Sequence, residues 1–384
     1  MSQDKKDKNL NVPPLRFPGF TDEWKETTIG DVAKIEKGNG ISKTQLSDEG
    51  EECILYGELY TKYKSEIIDE VYSKTGIDST KLTRSHVNDV IIPCSGESAE
   101  DIATARCVKK DGILLGGDLN IIRFDRQDGS FMSYQLNGKR KYDIARVAQG
   151  VSVVHLYPDH LKSVKIYLPQ LEEQQTIVTL LSLIDERIAT QTKIIEDLKK
   201  LKSAIYDKVF QTLKGELCLL GDVADIMKGK QINGELLTEV GDYYVMNGGV
   251  EPSGYYHDFN VSHNTISISE GGNSCGYIQW NSAPFWSGGH CYTLRIKKSI
   301  MENKYLYHFL KWHENDIMRL RIGSGLPNIQ KKDLANVTIL IPKTSVQNQI
   351  IHLMDSIDER IEVESKVSLV FLRQKTYLLS QMFI

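Results

Sequence analysis

The sequence predicts an α+β chain of two globular modules, each followed by a long helix. The two helices are expected to pack as an antiparallel coiled coil with pseudo-two-fold symmetry. Three observations predict this: a short opening segment that occurs twice, a helix start that occurs twice, and an apolar period of 3.5 residues after each helix start.

The first copy opens with Ile29-Gly30-Asp31-Val32-Ala33-Lys34-Ile35-Glu36-Lys37-Gly38. The second opens with Leu220-Gly221-Asp222-Val223-Ala224-Asp225-Ile226-Met227-Lys228-Gly229. Carried through Ile41 and Ile232, the 13 paired positions hold 8 identities. At the other end of each copy, residues 169–188 align without a gap on 342–361, with 9 of 20 positions identical and Ile-Asp-Glu-Arg-Ile at 184–188 and 357–361. The first pair is offset by 191 and the second by 173, so the first globular part carries 18 extra residues. That spacing is far longer than a solenoid repeat of roughly 20–50 residues, so a whole module is duplicated. Between these edges the copies share only a frame, Gly116-Gly117-Asp118 with Arg123 against Gly288-Gly289-His290 with Arg295. One frame carrying two different surfaces suits a protein that reads two different things.

The helices follow from periodicity. Steps of four and three run through Ile177, Leu181, Ile184, Ile188, Gln191, Ile195, Leu198, Lys202, Ile205 and Val209. The second copy runs through Ile350, Met354, Ile357, Ile361, Glu364, Ser368, Phe371, Lys375, Leu378 and Met382. Eight of the first ten positions and seven of the second are apolar, the pattern of a coiled-coil seam. Pro169 and Pro342 stand just ahead of the helices, where a missing N–H costs nothing, and Lys214-Gly215 closes the first. About 38 residues at 1.5 Å each give a rod of roughly 57 Å. The polar interruptions align, Gln191 with Glu364 and Lys202 with Lys375. Either they fix the register of a buried seam or the seam reaches water there. The expected organisation is a disordered tail over 1–12, a first globular domain over 13–168, a helical spacer over 169–214, a second globular domain over 215–341 and a helical spacer over 342–384.

Composition excludes several function classes. With 40% apolar and 26% charged residues in 384, the chain is globular and large enough for more than one core. A net charge of −4 leaves no overall basic coat, only room for a local basic face. There is no run of 18 apolar residues and no apolar stretch after the lysines of Met1–Asn9, so neither a membrane span nor a signal peptide is expected and the protein is expected in the cytoplasm. The outer helix faces mix both charge signs, which argues against membrane anchoring. The six cysteines are far apart and read as buried free thiols; with histidines equally scattered, no metal site is expected.

Catalytic motifs are missing as well. There is no phosphate loop of the G-x-x-x-x-G-K-[ST] type, no G-x-G-x-x-G opening a strand–helix unit and no N-P-P-Y-like adenine methylation motif. Gly271-Gly272-Asn273-Ser274-Cys275-Gly276 reads as a loop, and Asp197-Leu198-Lys199 and Glu364-Ser365-Lys366 as solvated helix faces. No catalytic residue and no cofactor is assigned to this chain. Tools for recognition are present: Tyr56, Tyr60, Tyr63 and Tyr72 interleave with Lys62, Lys64, Lys74, Lys81 and Arg84. The second module has Lys228, Lys230, Asn247, Tyr255, Tyr256, Gln279, Trp280 and Trp286. Arg and Lys hold phosphate or read guanine and Asn and Gln read adenine, but the same residues serve equally as surface lysines and core aromatics.

Pro14-Leu15-Arg16-Phe17-Pro18-Gly19-Phe20 with Trp24 resembles the opening of specificity subunits of bacterial type I restriction-modification systems. So do the repeated Gly-Asp-Val-Ala segments, the Leu168-Pro169 and Ile341-Pro342 helix starts with their Glu-Gln-Gln and Gln-Asn-Gln, and the paired Ile-Asp-Glu-Arg-Ile. Ile268 through Gly276 and Phe285 through Tyr292 are similar to one recurrent recognition-domain type, and Tyr56 through Tyr63 to another. The likeness runs from Pro13 onward. It implies two target-recognition domains, each reading one half of a split site in double-stranded DNA. Lys37, Lys62, Lys64 and Arg84 are the candidate contacts of the first and Lys228, Lys230 and Asn247 of the second. It also implies that the helices, through Ile177, Leu181, Ile184, Ile188, Ile195, Leu198, Ile350, Met354, Ile357, Ile361 and Phe371, form a ruler that sets the unread gap and docks modification subunits, two per chain. Restriction subunits would join these, and S-adenosylmethionine, ATP and Mg would reside on the partners. The competing readings are a coiled-coil scaffold that binds protein or glycan, and a stand-alone methyltransferase, against which the absent cofactor loop argues.

Overall fold

The computed structural model describes residues 11–150, 153–297, 299–323, 325 and 327–384. The expected disordered tail lies, through residue 10, outside the described residues, while the Asn11 carbonyl accepts the Trp24 N–H at 2.8 Å. The chain divides into two compact units, Met1–Thr192 with Lys366–Ile384, and Lys193–Ser365. The divisions fall inside both long helices, Leu171–Thr212 and Thr344–Gln381. Each unit therefore holds one globular module, the start of one helix and the end of the other.

In the first unit, strand Lys25–Thr28 pairs antiparallel with Lys165–Leu168, which leads into the first long helix. The repeated Gly-Asp follows at once: the Asp31 carboxylate accepts the Thr28 N–H at 3.2 Å and the Thr28 hydroxyl at 2.7 Å, which closes the one-turn helix Ile29–Val32. The chain continues as strand Ala33–Lys37, the edge of a five-stranded sheet. Next come Leu119–Phe124, Asp89–Pro93, Arg106–Val108 and Ile67–Ile68. A smaller sheet joins Leu114–Leu115, Glu51–Ile54, Ser73–Thr75 and Leu46–Ser47.

The second unit repeats this plan. Glu216–Leu219 pairs with Thr338–Ile341, ahead of the second long helix. Ala224–Lys228 edges a sheet that continues through Cys291–Ile296, Thr265–Ser269 and Ile278–Asn281. Register is kept, Lys37 facing Asn120 and Lys228 facing Tyr292. The extra length of the first copy falls between Gly38 and Gly116, 78 positions against 59 from Gly229 to Gly288.

Within each unit the two helix segments run antiparallel. In the first, Ile177, Leu181 and Ile184 share a core with Leu378, Met382 and Phe383, sealed by Trp24 edge-on to Phe131 and Phe383. Ile188 packs against that core, and the Arg187 guanidinium lies 5.9 Å from the centre of the half-buried Phe371 ring. In the second, Tyr206 and Phe210 share a core with Ile350 and Met354, while Ile195, Leu198, Ile357 and Ile361 are half-buried.

Polar seam positions are bonded rather than wet. Lys375 pairs with Asp185 at 2.5 Å and also with Glu66, and the Tyr134 hydroxyl donates to Asp185 at 2.8 Å. In the second unit Lys202 pairs with Asp358. The same Lys and the same Asp of Ile-Asp-Glu-Arg-Ile thus meet once per unit. Gln191 and Glu364 are also buried. A second repeated contact sits at each helix start. Gln174 Nε2 donates to the Pro169 carbonyl at 3.0 Å and its Oε1 accepts the Asp128 N–H at 3.0 Å. Gln347 does the same with the Pro342 carbonyl at 2.9 Å and the Glu302 N–H at 2.8 Å.

The second unit buries one histidine. The Tyr206 hydroxyl donates to His308 Nδ1 at 2.9 Å, and His308 Nε2–H donates to Asp355 at 2.9 Å, the carboxylate being able only to accept. Asp355 also meets Lys304 at 3.5 Å. His308, Asp355 and Asp358 gather as a metal site might, their ligand atoms within 4.8 Å, but Lys202 and Lys304 already neutralise the two carboxylates. All six cysteines are free thiols and five are buried. No helix among the described residues is long and apolar enough to cross a membrane.

Burial lowers the His308 pKa from 6.5 to about 4, against the opposing pull of Asp355. Between those values the unfolded chain binds the proton and the folded one does not. Stability is therefore fully present above pH 6.5 and falls by up to about 3 kcal/mol as pH drops toward 4. Urea unfolding of the chain between pH 4 and 7 checks this; H308Q is expected to flatten the slope. Lys375→Ala leaves Asp185 and Glu66 buried without their cation, and an unfolding titration is expected to show a loss of about 3–5 kcal/mol.

Candidate nucleic-acid interface

The repeated Lys-Gly at the end of each edge strand builds the same corner twice. A Cβ on Gly38 would lie 2.1 Å from the Gly116 carbonyl, and one on Gly229 would lie 2.2 Å from the Gly288 carbonyl, so only glycine allows the crossing. The Gly38 N–H donates to Leu119 and the Gly229 N–H to Cys291, each at 2.9 Å. This brings Lys37 and Lys228 to equivalent exposed places beside the Gly-Gly loops.

In the first module the segment 79–86 lies along that corner. Asn39 receives the Thr83 N–H at 2.8 Å and donates to the Lys81 carbonyl at 3.0 Å. An open cleft of about 540 Å³ follows, lined by Glu36, Thr83, Arg84, His86 and Arg123 among others. Most candidate cations are engaged within the chain. Arg84 pairs with Glu51 at 2.6 Å and donates to Gly112 and Ser79 at 2.9 Å. Lys62 pairs with Glu58 at 2.7 Å, and Lys64 donates to the Tyr60 carbonyl at 2.8 Å. Arg123 bridges Asp89 and Glu36. The Lys37 ammonium makes no hydrogen bond or ion pair among the described residues. The tyrosines divide: Tyr63 is buried and stacks on the exposed Tyr72 at 5.5 Å, and burial raises the pKa of Tyr60 and Tyr63.

In the second module Lys228 is held at 2.7 Å by Glu270, whose carboxylate is almost wholly buried and also accepts the Tyr292 hydroxyl at 2.9 Å. Lys230 is exposed, its ammonium unbonded among the described residues, and its carbonyl accepts Trp286 Nε1–H at 3.0 Å. Asn247 Oδ1 accepts the His290 N–H at 3.1 Å and so steadies the Gly288–His290 turn. Beside it opens a cleft of about 760 Å³, reached by Gln231, Asn247, Thr238 and Tyr255. Trp280 packs on Tyr307 under Lys304, on the helix side of the sheet. Lys228, Asn247 and Lys230 are thus gathered around one loop, whereas Lys62 and Lys64 lie apart from Lys37.

Sequence reasoning missed the partners of the repeated lysines. Glu270 and His290 stand beside Lys228. In the first module Cys94 and Asp118 stand where they do, joined by the same backbone bond, Cys94 N–H to Asp118 O at 2.7 Å against Glu270 N–H to His290 O at 2.9 Å. Burial pushes the Cys94 thiol up to about 11. The Gly-Gly frame was the available signal, since the residue after each pair differs.

Residues 21–200 and 216–370 each match the family described as type I restriction modification DNA specificity domain. A type I specificity subunit of Mycoplasma pneumoniae is 36% identical over 146 residues, 37% of this chain and 38% of that protein. The chain thus spans well under two thirds of that relative. The MjaVIII specificity subunit of Methanocaldococcus jannaschii is 24% identical over 396 residues, covering 92% of this chain and 89% of that protein. The crystal structure of a type I restriction-modification S subunit from M. genitalium shares the fold, with a TM-score of 0.69 at 19% identity over 97% of this chain and 99% of that one. With two matched segments that together cover most of its length, the chain belongs to the type I restriction-modification DNA specificity family.

Proposed function

We propose that this chain is the DNA sequence-recognition subunit of a type I restriction-modification complex. Each module reads one half of a bipartite duplex target, and the long helices set the gap between the halves. The observation that carries this reading is the duplicated corner: one backbone frame, with a lysine at the same place in each copy, surrounded by different side chains. A protein with two identical surfaces would have no use for that difference.

The functional organisation is a first recognition domain over 13–168, a spacer over 169–214, a second recognition domain over 215–341 and a spacer over 342–384. Modification subunits, two per chain, dock on the spacers, and restriction subunits join the complex. Exposed apolar residues on the helices support docking, with Leu183 at 53%, Leu201 at 51%, Val363 at 52% and Val370 at 59% exposure. The chain itself is non-catalytic; S-adenosylmethionine, ATP and Mg act on the partners, and the complex works on cytoplasmic DNA. Lys37, Lys62, Lys64, Arg84, Lys228, Lys230 and Asn247 are its DNA-facing residues. A net charge of −4 leaves much of the phosphate neutralisation to partner surfaces.

Co-expression with the matching modification subunit, followed by single-molecule sequencing of methylated adenines, is expected to give a split motif of constant gap; a continuous motif would overturn the two-reader reading. Replacing 220–338 by another module is expected to change one half of the motif and keep the other. One heptad inserted within 173–210 is expected to change the gap or abolish activity, and an active variant with the original gap would refute the ruler. For Lys37→Ala, binding is expected to weaken alike for all sequences, with a salt slope smaller by about one.

A further inference from the structure

The Glu270 carboxylate has two oxygens with different fates. Oε1 is bonded by Lys228 at 2.7 Å and by the Tyr292 hydroxyl at 2.9 Å. Oε2 is equally buried and has no hydrogen-bond partner among the described residues. A buried acceptor left in that state is costly unless a donor reaches it. His290 Nδ1 stands 3.7 Å away, on a side chain that is 62% exposed. The rest of the site fixes the backbone and Cβ of residue 290. Gly248, at φ +88°, would bring a Cβ to 3.1 Å from His290 Cβ, and Asn247 holds the His290 N–H. Lys228 from the edge strand and Tyr292 from the adjoining strand meet at the same carboxylate, which lies at the end of the central strand. Cys275 donates its thiol to the Glu270 carbonyl.

The first module has the same backbone here but not the same chemistry. Asp118 occupies the His290 place and Cys94 the Glu270 place, with Lys37 keeping the lysine. A pair that served only the frame would be shared by both copies, as the glycines and lysines are. Its restriction to one copy places it with the module's selectivity.

Resting on the DNA-recognition reading above, we propose that His290 is a base-reading residue of the second module, oriented by Glu270. A rotation of the imidazole toward Oε2 lets Nδ1–H donate to the carboxylate, as carboxylates orient metal-binding histidines. Nε2 is then directed outward. With the first nitrogen engaged by the carboxylate, Nε2 is the atom left to meet a base edge, and the major groove presents a different pattern of hydrogen-bonding groups for each base pair. Glu270 is a positioning residue: it touches His290 and not the DNA.

The test maps methylated adenines for the complete complex carrying the native chain, His290→Ala or Glu270→Gln, with the melting temperature of each purified complex measured alongside. His290→Ala, an exposed substitution, is expected to keep the gap and one half of the motif. In the other half, discrimination between bases at one position falls on the order of ten- to a hundredfold. Glu270→Gln relaxes the same position to a smaller extent. An unchanged motif in His290→Ala overturns the inference. So does uniform weakening over all sequences with a reduced salt slope, which would make His290 a phosphate contact. If the native complex methylates no split motif, the recognition reading itself fails, a result distinct from either.

Discussion

The half-buried pairing of an aspartate on one helix with a lysine on the other holds the register on which the rest of the structure depends. Asp185 meets Lys375 in the first unit and Asp358 meets Lys202 in the second. An apolar seam of Ile, Leu and Met tolerates slippage by a heptad, because one methyl-bearing side chain replaces another at little cost. A carboxylate and an ammonium in that seam do not, since a slip leaves each without its partner. Where the helix segments are fixed, the strands that lead into them are fixed too: Lys165–Leu168 and Thr338–Ile341 each end within a few residues of a helix start.

From that support the modules present their corners in the same way and dress them differently. The edge strand, the Gly-over-Gly crossing and the lysine are common. The residues around the lysine are a thiol and a carboxylate in one copy, a carboxylate and an imidazole in the other. Direct readout of bases requires that side chains vary while their placement does not. Here backbone hydrogen bonds keep the placement and leave the side chains free to vary.

Periodicity made both long helices legible, because 3.5-residue spacing is a local property carried by Ile177, Leu181, Ile350 and Met354 themselves. The duplicated plan was legible from the Gly-Asp-Val-Ala segments, and the free thiols from their dispersed spacing. The standing of individual cations was not. The sequence offers Arg84 as a candidate contact but does not show that Glu51, Ser79 and Gly112 already bond its guanidinium. Trp280, left open between a recognition residue and a core aromatic, packs against a helix. Glu270 and His290 are 20 residues apart in sequence and meet only through strand pairing, so no local pattern joins them. Pairing of that kind is settled by tertiary packing, which spacing along the chain does not encode.

The glutamines at the two helix starts have one further consequence. Gln174 and Gln347 hold their modules through the Asp128 and Glu302 peptide N–H groups and through proline carbonyls. Gln347 adds the Ile300 carbonyl at 2.7 Å, and among the described residues only the Gln127 amide is a side-chain partner. A joint made to peptide groups is blind to most of the side chains around it. Mutations can therefore accumulate across a module's outer surface without compensating changes in the helix beneath. The lineage can alter what it reads while inheriting the hinge-point intact, and the two halves of the chain are free to diverge at separate rates.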